Sequence, residues 1–158
     1  MKFTLMMSMA LVCLPVVAAA LARGDQSAAG PSFESATPNL VVASLEKSLA
    51  FYRDVLGFEL DMHVPDQPPY VFVSVKRGGV QIFLNDIAAV RKDFPALADR
   101  ARGGGNTMYI KMTGVEAYHR QIEKKVKIVV PFVRQPYGMT EFGIEDPDGY
   151  VIFFAEQG

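Results

Sequence analysis

Apolar residues recur at two periods along the chain, and the switches between them mark its elements. Leu45, Leu49, Tyr52 and Leu56 fall at helical spacing behind Ser44, a good N-cap, and Gly57 stands where a left-handed C-terminal residue belongs. Runs of β-branched and aromatic residues over 37–43, 58–64, 70–75 and 80–84 read as strands around that helix. A second set follows in the same order. Strand 107–112 precedes a helix over 115–125 striped by Tyr118, Ile122 and Val126, and strands 127–134, 139–145 and 150–155 complete it. Asp146-Pro147-Asp148-Gly149 turns the chain between the last two: proline presets φ, aspartate bonds to backbone ahead of it, and glycine accepts positive φ.

The two sets are one unit used twice. A constant shift of 70 residues carries Gly79 onto Gly149, Leu45 onto Val115, Phe72 onto Phe142 and Ile82 onto Ile152. The expected fold is therefore α+β, two β-α-β-β-β modules in one sheet-rich domain. Module one spans 36–85 and module two 105–158, within a single domain over 36–158. The linker 86–104 is expected to hold a helical turn or two around 96–100 and to end in Gly103-Gly104-Gly105.

Composition adds limits. The chain has 158 residues, half of them hydrophobic, which is one domain's worth with a substantial core. A formal charge of −1, with lysines and arginines scattered, gives no footprint for nucleic acid. Residues 1–22 read as a signal peptide: Lys2, an apolar run, then Ala18-Ala19-Ala20-Leu21-Ala22 as the cleavage region. The chain is expected to be exported, periplasmic or secreted, with no stable membrane anchor after cleavage. Residues 23–35 read as a flexible lead-in. The single cysteine, Cys13, lies inside the leader, so the mature chain offers no disulfide, cysteine nucleophile or thiolate metal site.

The doubled unit, the segment Leu-Glu-Lys-Ser-Leu-Ala-Phe-Tyr-Arg-Asp-Val-Leu-Gly-Phe over 45–58, and the Asp-Pro-Asp-Gly-Tyr turn resemble the vicinal oxygen chelate superfamily. That superfamily includes glyoxalase I, extradiol dioxygenases and bleomycin-resistance proteins. The resemblance runs from about residue 37 to the C-terminus. It implies that each module curls into half of a cup holding a ligand or a metal, and that the protein forms a homodimer. It places the metal-ligand positions at Thr37, Phe83, Thr107 and Phe153, none of them a usual ligand. A divalent ion needs imidazole or carboxylate donors, and phenylalanine has none. The resemblance is therefore to the metal-free, bleomycin-resistance type, with no cofactor and no catalytic residue.

Strand alternation furnishes the cup. If Thr107 faces inward, so do Asn39, Val41, Tyr109 and Lys111; on the other strands Gln81, Phe83, Val151, Phe153 and Glu141 face in, and the repeat shift adds Val71 and Val73. Asn39, Gln81, Phe83, Thr107, Tyr109, Lys111, Glu141 and Phe153 are the candidate ligand-binding residues, an aromatic lining with a few polar groups that suits a small molecule. Each has a plainer reading. Phe83 and Phe153 could simply plug the cup, Tyr109 could be packing, and Glu141 could bind a cation, act as a base, or pair with Lys111. His63 is placed at a rim and His119 in solvent.

The expected function is sequestration of an aromatic or cationic toxic compound, with binding favoured over catalysis and the enzyme question left open. Two alternatives stand beside it. One is a glyoxalase-like lyase or extradiol-type dioxygenase with atypical ligands, such as His63 with Glu141; the other is a structural module with a filled pocket.

Overall fold

Ser44 opens the first helix as its pattern predicts: its Oγ accepts from the Lys47 amide at 3.4 Å, and α1 runs Leu45–Ala50. A π-helical turn, Phe51–Val55, extends it, and Gly57 follows with φ of 73°. Leu45, Leu49, Tyr52 and Leu56 are all buried. The computed structural model describes residues 31–158. The expected signal peptide and the lead-in as far as residue 30 lie outside the described residues. Among the described residues, no helix is long and apolar enough to cross a membrane.

Module one continues through β1 (Asn39–Val42), β2 (Glu59–Val64), β3 (Phe72–Arg77) and β4 (Val80–Asp86), in the spatial order β1-β4-β3-β2. Module two has β5 (Thr107–Lys111), β6 (Lys127–Arg134), β7 (Met139–Glu145) and β8 (Val151–Gln157), ordered β5-β8-β7-β6. In each, the first strand pairs parallel to the last and the rest is antiparallel. The architecture is the expected α+β pair of β-α-β-β-β modules, built as two four-stranded sheets.

The linker is more helical than its composition implied. Asp86 caps α2 (Ile87–Asp93), its Oδ1 accepting from Ala88 N at 2.8 Å and Ala89 N at 3.3 Å, and α3 (Pro95–Ala98) follows. The second main helix, α4 (Val115–Ile122), starts after Gly114, and the Glu156 carboxylate takes the Gly114 and Val115 amides at 2.9 and 3.0 Å. A carboxylate 42 residues downstream thus does the capping that a neighbouring side chain does in α1.

The single repeat shift fails in the middle strands. In β4 and β8 it holds at 70, since Asn39 lies beside Phe83 as Tyr109 lies beside Phe153. In β3 and β7 the equivalent positions differ by 69: Val73 opposes Leu84 as Phe142 opposes Phe154. The cause is the hairpin loop, two residues at Gly78-Gly79 against five over 146–150. One residue of slip exchanges sheet faces. Val73 is consequently buried with Leu84 on the helix side, not in the cup, and Val71 precedes β3 at 41% exposure. Phe72 and Ser74 take the concave positions instead.

The modules grip each other through their turns. Tyr52 Oη donates to Asp146 Oδ2 at 3.0 Å, Ser48 Oγ to Asp148 Oδ2 at 3.0 Å, and the Ala43 amide to Asp148 Oδ1 at 2.7 Å. In return Tyr118 Oη donates to the Leu56 carbonyl at 2.9 Å, and the Arg77 guanidinium lies 4.9 Å from the Tyr118 ring centroid. The Asp-Pro-Asp-Gly turn is thus also the clamp between modules. His119 is less solvated than expected: its ring meets Phe142 edge-on at 4.8 Å and Phe132 at 5.1 Å, because the bulged β6 brings Phe132 onto α4.

Candidate functional site

The concave positions of β5, β7 and β8 assemble around one carboxylate. Glu141, on β7, is 3% exposed. Its Oε2 accepts from Tyr109 Oη on β5 at 2.7 Å, and its Oε1 accepts from Tyr137 Oη at 2.7 Å and Gln135 Nε2 at 3.1 Å, both from the β6–β7 loop. Burial would raise the Glu141 pKa, but the Tyr137, Tyr109 and Gln135 donors outweigh it and hold the carboxyl below its ordinary value. The hydrogen bond to Glu141, with some burial, pushes the Tyr109 phenol up to about 12. Tyr137 moves the same way for the same first reason.

Glu141 is therefore an ionised group held by three neutral donors. The pairing with Lys111, one of the three readings of Glu141, is not made: Tyr109 donates to Oε2, and among the described residues no cation lies within ion-pair distance of Glu141. A lowered pKa also makes it a weak base. Both tyrosine rings remain open, Tyr109 at 46% and Tyr137 at 64% exposure. Tyr109 stacks on Phe153 with centroids 6.0 Å apart and planes 29° apart.

Module one furnishes its concave face differently. Phe83 meets Phe72 edge-on, with centroids 5.3 Å apart. Gln81 Nε2 donates to Ser74 Oγ at 3.0 Å and to Asp61 Oδ2 at 3.1 Å, while Ser74 Oγ donates to the same Asp61 oxygen at 3.2 Å. Asn85 donates through Nδ2 to Asn39 Oδ1. Gln81, Ser74 and Asp61 are thus bonded to one another, and Asn85 to Asn39.

A cleft of about 750 Å³ lies between the edge strands β1 and β5 and the end of the linker. Of the eight candidates it collects Asn39, Gln81, Thr107, Tyr109 and Lys111; Phe83, Phe153 and Glu141 stand one side chain back, tied to it through Asn39 and Tyr109. The sequence reading missed Tyr137 and Gln135, which a loop closes onto Glu141, and Arg100 and Arg102, which the linker brings to the cleft. A tyrosine beside glycine in a hairpin loop was the one available signal for the first pair.

The metal positions implied by the resemblance do not fit a divalent ion. Phe83 and Phe153 offer no donor atom, and among the described residues no three or more His, Cys, Asp or Glu side chains gather closely enough to hold one. His63, one of the atypical ligands considered, packs at a tilt against Tyr70, centroids 4.9 Å apart, with Nδ1 3.1 Å from the Pro65 carbonyl, in the other module from Glu141.

Comparison with curated protein sequences gives no match. Among solved structures, a protein of unknown function from Agrobacterium tumefaciens is 26% identical, with a TM-score of 0.61 over 80% of this chain and 94% of that one. The bleomycin-binding protein of Streptomyces verticillus, solved with copper(II)-bleomycin, is 24% identical, with a TM-score of 0.55 over 78% and 96%. An antibiotic-binding protein from a Streptomyces species is 22% identical, with a TM-score of 0.63 over 80% and 98%. The sequence profile of the Glyoxalase/Bleomycin resistance protein/Dioxygenase superfamily matches residues 35–154, and the chain belongs to that family.

Proposed function

We propose that the protein binds an aromatic small molecule bearing a cationic group and sequesters it unchanged. The observation that carries this reading is Glu141, a buried carboxylate bonded only to neutral donors and faced by two open tyrosine rings. Its three neutral donors keep the carboxylate ionised without neutralising it, and a bound cation supplies the counter-charge while the tyrosine rings add their own attraction. The Tyr109–Phe153 stack offers a flat apolar body the surface it needs. Two proteins of the same fold bind bleomycin or an antibiotic, which supports a small-molecule ligand. The side chains at the metal positions supply no Lewis-acid site, and Glu141 holds its proton too weakly for a general base, so sequestration suits these residues better than turnover.

Dye binding tests the reading. Proflavine, a planar aromatic cation, should bind, and Glu141→Gln should weaken it roughly tenfold, the loss of one charge-assisted contact. N-phenylnaphthylamine, an uncharged aromatic, should bind both proteins equally. Equal proflavine affinity for the two proteins would sink the cationic reading. The leader over 1–22 supports export, and periplasmic protein whose N-terminus begins near residue 23 would bear it out. Sedimentation of the processed chain tests the proposed homodimer.

A further inference from the structure

The cleft beside this carboxylate has the opposite sign. Arg100, Arg102 and Lys111 line it, and among the described residues no aspartate or glutamate does, although the chain as a whole is slightly acidic. The remaining polar lining consists of uncharged donors, among them Asn39, Asn106 and Thr107. Some cations elsewhere on the chain sit beside acids, Arg53 with Asp54, Arg120 with Glu116 and Lys127 with Glu145, whereas the cleft gathers three cations in one lining with no acid among its described residues.

The linker that brings two of these cations is held in place. Gly103 has φ of 74°, and a Cβ there would lie 2.4 Å from the Gly149 carbonyl oxygen, so only glycine permits the approach. Arg102 Nε is 3.4 Å from Asp148 Oδ1, on the same clamped turn. Arg102 thus spends its charge on anchoring. Arg100 and Lys111 remain, and neither has a carboxylate partner within ion-pair distance among the described residues. Lys111 is two residues beyond Tyr109 on the same face of β5, so the open cation and the tyrosine bonded to Glu141 are successive side chains of one wall.

We infer that this cleft holds an acidic group of the ligand, a carboxylate, sulfonate or phosphate, through Arg100 and Lys111. Resting on the aromatic-binding reading above, the inference makes the preferred ligand amphoteric: its flat body lies on Tyr109 and Phe153, its cation near Glu141, and its anion in the cleft. A wall built this way repels a compound that carries positive charge at both ends, which gives the site discrimination as well as affinity.

Two dyes with one skeleton separate the claims. Anilinonaphthalene sulfonate carries an anion that N-phenylnaphthylamine lacks. The sulfonate should bind the folded protein about fivefold more tightly than the neutral dye, the scale of one or two exposed charge contacts. Arg100→Gln and Lys111→Gln should each weaken the sulfonate roughly threefold more than they weaken the neutral dye, and added salt should likewise act on the sulfonate and not on the neutral dye. Equal affinity for the two dyes, or sulfonate binding indifferent to both substitutions, would overturn the anionic site while leaving aromatic binding intact. Failure of both dyes to bind would overturn the two readings together.

Discussion

The two modules share a topology and even a flaw, yet they furnish their concave faces in opposite ways. Each second strand carries an extra residue at the same place, Asp61 between Leu60 and Met62, and Val129 between Ile128 and Val130, and β6 alone has a second irregularity between Val130 and Val133. With the strands in register, Phe72 corresponds to Glu141, Ser74 to Gly143, and Asn39 to Tyr109. In module one Phe83 therefore leans on Phe72, and serine, glutamine and aspartate satisfy one another. In module two a carboxylate replaces the partner ring, so Phe153 turns to Tyr109 and the hydroxyls turn to Glu141. Backbone repetition sets the frame, and three exchanges decide which half is a closed polar network and which is an open, charged surface.

Reversing the middle exchange should have the largest effect. A Cβ on Gly143 would stand 3.0 Å from both Cβ and Cγ2 of Val130 and 3.5 Å from Phe153 Cε1. Gly143→Ser gives module two the residue of module one without its aspartate partner. It should destabilise the fold by about 1–3 kcal/mol, an overpacking cost with an unpaired hydroxyl added. Thermal melting would show a drop of several degrees, and the displaced Phe153 should weaken every aromatic ligand, charged or not. An unchanged melt would mean that the strand pair yields and that glycine is not what lets the ring lie there.

Glu141→Gln is the intermediate case. The amide turns one acceptor oxygen into a donor that faces donors, at a cost of about 1–2 kcal/mol. It also removes the charge that raises the tyrosines, so the Tyr109 phenol should titrate nearer its ordinary 10.0 than about 12. The sign follows from the directions. Tyr109 binds its proton more tightly when folded, so its share of stability is complete below pH 10 and is lost as pH rises toward 12. Glu141 binds its proton more weakly when folded, so its share is present above the ordinary carboxyl value and lost as pH falls through the depressed one. Phenolate absorbance of the two proteins across alkaline pH checks the first half, and proflavine binding in acid the second.

Much of this was legible in the residues. Period and caps gave both main helices and all eight strands, because helix stripes and short β-branched runs are local signals. The inward face of β4, β5 and β8 followed from alternation, and Glu141 on β7 stood out as a charge beside it. What failed was whatever depended on loop length. The fixed shift put Val73 in the cup because a two-residue turn and a five-residue turn look alike until the strands are paired. Tyr137 and Gln135 reach Glu141 through a loop, Glu156 caps a helix 42 residues upstream, and Arg100 reaches the cleft by way of Gly103; none of these contacts has a periodic trace.

Ser74→Ala sharpens the contrast from the other side and should have the smallest effect. Ser74 is fully buried, and its hydroxyl both donates to Asp61 and accepts from Gln81. Losing it leaves Gln81 bonded to Asp61, whose carboxylate faces solvent and can take water, so no charge is stranded. The cost should be about 1 kcal/mol or less, a hydrogen bond deleted without an orphaned partner. Dye affinities should not move, because the network belongs to the half of the molecule whose polar groups already satisfy each other. If Ser74→Ala weakened proflavine as much as Glu141→Gln does, the modules would have to share the ligand's charge, and the division between a closed face and an open one would have to be redrawn.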